Sequence, residues 1–131
     1  MKKLYFSVDV ETSGPVPGKY SMLSVGACII GDLSKTFYRE IKPLNNTYRL
    51  ESMQIGSLGL HCLNDLKHLD IYNAKSPKFN PRKVLDVLSE KGDTPEKVME
   101  DFAEWIVSHS KGCIPIEVAA PIKFDGAFTA Y

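Results

Sequence analysis

The sequence predicts an α/β fold built on a mixed sheet, with three antiparallel strands followed by a fourth that lies parallel to the first. Three features carry that expectation. The chain opens on an almost wholly apolar strand, Leu4-Tyr5-Phe6-Ser7-Val8-Asp9-Val10, which runs into Glu11-Thr12-Ser13-Gly14. Two more strand-like runs, Met22 to Ile30 and Thr36 to Lys42, follow closely enough to form a meander. A helical stretch then leads to a last apolar run, Ile114 to Ala120, and a strand reached through a helical crossover pairs in parallel.

In the first strand, alternate side chains share a face, so Leu4, Phe6, Val8 and Val10 point one way and Tyr5, Ser7, Asp9 and Glu11 the other. Asp9 and Glu11 then project side by side at the strand end. Two carboxylates that close repel one another unless a cation lies between them, and Mg²⁺ or Mn²⁺ suit hard oxygen donors. A solvated pair of charges at a strand end is the plain alternative. Pro15 to Gly18 reads as a turn, and Gly31-Asp32-Leu33-Ser34-Lys35 as the turn between the second and third strands.

From Pro43 to Lys78 the leucines at 58, 60, 63, 66 and 69 suggest a helix with poorly marked ends. Beyond it, Asn80 can cap a short helix with Pro81 in its first turn, an apolar stripe of Val84, Leu85 and Leu88, and Gly92 at its end. Thr94-Pro95 opens another. There Val98, Phe102, Trp105 and Ile106 recur at helical spacing opposite Lys97, Glu100, Asp101 and Glu104, so that helix should pack on the sheet until Lys111-Gly112 closes it.

At 131 residues the chain fits a single domain, 1–131, able to bury a real core. Lys plus Arg and Asp plus Glu both number 16, so bulk charge does not advertise a nonspecific duplex binder. Cys28, Cys62 and Cys113 are odd in number and widely spaced, which reads as reduced thiols and a cytoplasmic setting. The N-terminal run reads as a strand, not a signal peptide, and no apolar run is long enough to span a bilayer. The spacing of His61, His68 and His109 with the cysteines matches no zinc-ligand pattern.

Asp9-Val10-Glu11-Thr12-Ser13-Gly14 resembles the first motif, Asp-x-Glu-Thr-Thr/Ser-Gly, of the DEDD family of 3'-5' exonucleases, which includes ribonuclease T and the proofreading subunit of bacterial DNA polymerase III. Phe124-Asp125, in Ala120-Pro121-Ile122-Lys123-Phe124-Asp125-Gly126-Ala127-Phe128, is similar to the second; many relatives carry Asn where this chain has Pro121. The resemblance implies a ribonuclease H-like fold in which the first and fourth strands are adjacent and Asp9 and Glu11 face Asp125. It implies a two-metal site of Mg²⁺ or Mn²⁺, with Asp9 bridging both ions, Glu11 on the ion that carries the attacking water, and Asp125 holding the second ion through water. The backbone of Thr12, Ser13 and Gly14 would meet the terminal nucleotide of a single-stranded DNA or RNA 3' end.

The family pattern continues with a fourth carboxylate and a His or Tyr general base, whereas the sequence stops at Tyr131, with the C-terminal part of the fold missing. His61, His68 and His109 all precede Asp125 and do not match the base by position. The expectation is therefore a phosphodiester hydrolase whose activity as this chain is weak or nil. Its uncovered sheet should favour a homodimer, an exchanged element or marginal stability. The competing readings are a noncatalytic nucleic-acid- or protein-binding scaffold derived from the same fold, and a plain α/β structural protein.

Overall fold

The computed structural model describes residues 2–118. Its sheet has the strand order β3-β2-β1-β4, with β1 at Lys2–Thr12, β2 at Met22–Ile29, β3 at Asp32–Glu40 and β4 at Cys113–Val118. β1 pairs antiparallel with β2, β2 antiparallel with β3, and β1 parallel with β4, as the crossover argument predicts. The parallel register pairs Ser7 with Val118, so the last described residue of β4 lies two residues short of Asp9 along β1.

The expected faces of β1 hold. Phe6, Val8 and Val10 are buried, while Asp9 is exposed and Glu11 half-buried. β3 begins at Asp32 rather than Thr36, because the reversal is confined to Ile30 and Gly31. Gly31 takes φ +97°, a conformation that costs glycine nothing and lets the strands reverse in two residues. The longer turn expected over Gly31 to Lys35 is corrected accordingly.

The region of residues 43–78 also departs from expectation. Its α-helix, α1, is Leu50–Gly56, ahead of the leucine run, which forms two short 3-10 turns at His61–Leu63 and Asp70–Tyr72. Leu60 and Leu63 are buried but Leu58 and Leu69 are exposed, so the leucines never form one continuous stripe. A run of consecutive turns can bury leucines three apart without extending a helix.

The two later helices follow their sequence signals. α2, Pro81–Lys91, has the Asn80 side chain accepting from the Lys83 amide, and α3, Pro95–His109, has the Thr94 side chain accepting from the Lys97 amide. Gly92 ends α2 with an extended backbone, and the reason is close approach: a Cβ there would lie 2.7 Å from Ile41 C, Lys42 N and Leu88 O. The chain is pinned at that point by the Lys42 amide donating to the Asp93 carbonyl and the Asp93 amide to the Glu40 carbonyl.

Two apolar clusters result. One lies between the sheet and α3, joining Phe6, Val8, Val10, Val25, Ala27, Ile29, Phe37 and Ile41 to Val98 and Phe102, with Trp105 and Ile106 packed at its margin. The other joins Leu23, Met53, Leu60 and Leu63 to Phe79 and to Val84, Leu85, Val87 and Leu88 of α2. The first cluster fills one face of β1 with hydrocarbon and leaves the opposite face, with its carboxylates, open to the pocket described next.

A candidate metal and nucleotide site on the open face of the sheet

Strand register assembles the site. Asp9 pairs with Gly26, which pairs with Tyr38; Glu11 pairs with Ser24, which pairs with Glu40. Directly paired residues project to the same face, so Asp9, Glu11, Ser24, Tyr38 and Glu40 form two adjacent rows across three strands. Gly26 contributes no side chain, and the space it leaves separates Asp9 from the Tyr38 ring. A shallow pocket of about 180 Å³ lies over these rows, lined by Asp9, Glu11, Ser24, Gly26 and Tyr38, with Gly56 and Gly59 closing one side.

α1 reaches the site through Gly56. A Cβ there would lie 3.0 Å from Leu23 Cδ1, 3.3 Å from the Thr12 carbonyl and 3.6 Å from Glu11 Cβ. Glycine thus lets the helix end close against the end of β1.

Thr12, Ser13 and Gly14 complete the strand end and are buried. The Ser13 hydroxyl donates to the Thr47 carbonyl (3.1 Å) and accepts from the Ser21 amide (2.9 Å). The Ser13 amide donates to the Ser21 carbonyl and its carbonyl accepts from the Arg49 amide. Ser13 is therefore a clamp joining the first motif to β2 and to the segment before α1. Gly14 carries the Tyr20 ring where a side chain would be: a Cβ would fall 2.3 Å from two ring atoms.

Glu40 organises the far wall. Its carboxylate accepts from the His61 and Cys62 amides and from the Tyr38 hydroxyl, tying β3 to the 3-10 turn at His61–Leu63. Burial first, then the hydrogen bond to Glu40 and the charge of Glu40, hold the Tyr38 phenol well above its ordinary value. Burial first, and then the same carboxylate, push the Cys62 thiol up to about 12. Both groups keep their protons more tightly folded than unfolded, so the stability they contribute is complete below about pH 9 and falls as pH rises through the alkaline range. Urea denaturation across pH 8–11 is expected to show that decline, and Tyr38→Phe should flatten its part above about pH 10; a Tyr38→Phe profile parallel to wild type would contradict the assignment.

Sequence reasoning missed Tyr38 and Glu40. The signal was present as the alternation of Phe37-Tyr38-Arg39-Glu40, but it points to the site only once the hairpin register is known. Of the histidines, His61 packs on the Tyr38 ring at 4.5 Å, His109 Nδ1 lies 2.8 Å from the Trp105 carbonyl, and His68 is exposed. Among the described residues no group of three His, Cys, Asp or Glu side chains gathers as a metal site. Pro121, Phe124, Asp125 and Phe128 lie outside the described residues.

No family model matches the chain. The 3'-5' DNA exonuclease Cap18 of Escherichia coli is 37% identical over 131 residues, covering 99% of this chain and 57% of that protein, so the chain spans little more than half of its relative. Among solved structures, E. coli exonuclease I with a dT13 oligonucleotide superposes with a TM-score of 0.55 at 14% identity, over 98% of this chain and 23% of the other. The zinc-bound complex of the same enzyme with single-stranded DNA gives 0.54 at 14% identity, over 98% and 23%. These matches place β1 to β4 in the ribonuclease H-like exonuclease fold that the first motif implies.

Proposed function

From a chain that has the DEDD-type exonuclease fold and is related to a 3'-5' DNA exonuclease, we propose a divalent-metal-dependent exonuclease acting on the 3' ends of single-stranded DNA. The observation that carries this reading is the pair Asp9 and Glu11, side by side on one strand and opening into one pocket. Their donor chemistry fits Mg²⁺ or Mn²⁺: two hard carboxylates, one exposed and one half-buried, on a face with room for water.

Asp9 and Glu11 would hold the metal from β1, and Asp125, a short way along the chain from β4, would complete the set. When bound, two such ions make a water more nucleophilic and neutralise charge on the scissile phosphate. The protein's own part is to fix the carboxylates through paired strands and to present the backbone of Thr12, Ser13 and Gly14 to the terminal nucleotide. Ser13, held by four hydrogen bonds, keeps that backbone in place. DNA is preferred to RNA as substrate on the strength of the relative's activity.

The 131 residues of the chain carry both motifs, Asp9 to Gly14 and Phe124-Asp125. We place it in the cytoplasm, where Cys28, Cys62 and Cys113, all free, stay reduced. Among the described residues no helix is long and apolar enough to cross a membrane. A homodimer through β4, at the edge of the sheet among the described residues and with Ile114 exposed, is proposed as well, and sedimentation of a strict monomer at micromolar concentration would rule it out.

The deciding experiment incubates the chain with a 5'-labelled single-stranded oligonucleotide and Mn²⁺. Stepwise shortening from the 3' end that stops on chelation is the expected result. Metal-dependent binding without shortening would favour a noncatalytic scaffold, and the absence of both binding and shortening would refute the exonuclease reading.

A further inference from the structure

We propose that the Tyr38 ring is the platform on which the base of the 3'-terminal nucleotide stacks, making Tyr38 a binding residue. The inference rests on the exonuclease reading and adds to it a residue that neither motif contains.

Register puts the ring opposite the carboxylates. Asp9, Gly26 and Tyr38 are successive partners across three strands, which separates the Cα atoms of Asp9 and Tyr38 by about 10 Å, twice the spacing of neighbouring strands. Gly26 leaves the intervening space free of side chain, and a Cβ there would make ordinary contact, at 3.8 Å, with Tyr38 Cδ1. Ring and carboxylates therefore face one pocket across one missing side chain. At about 180 Å³ that pocket is smaller than the roughly 300–1,000 Å³ of sites for drug-sized ligands, and suits one ring system rather than a length of chain.

The hydroxyl is already committed. It donates to Glu40, whose carboxylate also accepts from the His61 and Cys62 amides, and Gly59 O lies 3.4 Å from it. An engaged phenol that keeps its proton is neither base nor nucleophile, so what Tyr38 offers the pocket is its aromatic ring. His61 supports the ring from the 3-10 turn, with centroids 4.5 Å apart and planes inclined by 37°. Stacking on an aromatic ring tolerates any base, which is what removal of successive nucleotides of any sequence requires.

The test reads binding, in Ca²⁺ to suppress cleavage, by anisotropy of a 5'-fluorescein oligo-dT and of the same strand with an abasic 3'-terminal residue. The wild-type chain is expected to prefer the intact end by about 5- to 150-fold, Tyr38→Phe to keep that preference, and Tyr38→Leu to lose it while still binding. A wild-type chain that binds both strands equally overturns the platform and leaves the exonuclease reading standing. This comparison needs no variant to fold. A Tyr38→Leu chain that melts like wild type and still prefers the intact end overturns it too, whereas no binding of either strand by wild type defeats both readings.

Discussion

Asp9→Ala is expected to abolish the stabilisation of this chain by Mn²⁺ while leaving its metal-free melting temperature unchanged or slightly raised. The argument starts from position: Asp9 is exposed and on the face away from the apolar cluster, so removing its side chain opens no cavity. It also removes one of two like charges that flank each other on β1, which relieves repulsion when no cation is present. A ligand that binds only the folded state at 100 times its Kd stabilises by about 2.7 kcal/mol. At roughly 2.1 cal/mol/K of unfolding entropy per residue, that is a rise of about 10 °C for a domain of this length. Without Asp9 the proposed set keeps a single carboxylate on β1, too few for a tight site. Whatever 3' shortening the wild type shows should fall by about 10²-fold or more, since positioned water and leaving group both depend on the held metal. Scanning calorimetry with and without Mn²⁺ decides the matter, and an Asp9→Ala chain that gained as many degrees as wild type would remove Asp9 from the site.

The legibility of this fold in its sequence was uneven for physical reasons. β1, α2 and α3 carry local signals strong enough to stand alone: period-two alternation, Asn80 with Pro81, and Thr94 with Pro95. Asp9 and Glu11 were recognisable because both sit on one strand, where spacing alone puts them on one face. The stretch from Pro43 to Lys78 was not legible, because its leucines are buried by consecutive turns packed on α2, and helical periodicity cannot distinguish that from a helix. Tyr38 and Glu40 escaped notice for another reason. Their link to Asp9 and Glu11 is a register through β2 that depends on where the β2–β3 reversal falls, and four residues of difference in the start of β3 separate the expected strand from the observed one. Gly14 was read as part of the first motif and Gly92 as a helix stop, yet each is required by close contact with another segment, the Tyr20 ring and the backbone at Ile41 and Lys42.

Phe102→Ala is expected to be the most damaging single truncation for stability, at about 3–5 kcal/mol. Phe102 is the point where α3 meets the sheet. Its ring stacks on Phe37 of β3 at 5.3 Å and 10°, meets Phe6 of β1 edge-on at 6.3 Å, and lies parallel to Trp105 at 6.2 Å. Truncation removes buried hydrocarbon, leaves a void that three rigid rings cannot readily fill, and loses aromatic pairing worth about 0.5–1.5 kcal/mol beyond area for each good pair. Against a total stability of about 5–15 kcal/mol, about a fifth or more is at stake, or roughly 10–18 °C in melting temperature by the same per-residue entropy. Phe102→Leu should cost clearly less, because it refills most of the volume and loses chiefly the stacking. In urea, both variants should shift the midpoint without changing the slope. Because Phe102 packs on the face opposite Asp9, Mn²⁺ should still raise the melting temperature of Phe102→Leu by as much as it raises wild type, which separates loss of the core from loss of the site. A cost below about 1 kcal/mol for Phe102→Ala, set against the 3–5 expected for such a truncation, would mean that α3 is held to the sheet by other contacts.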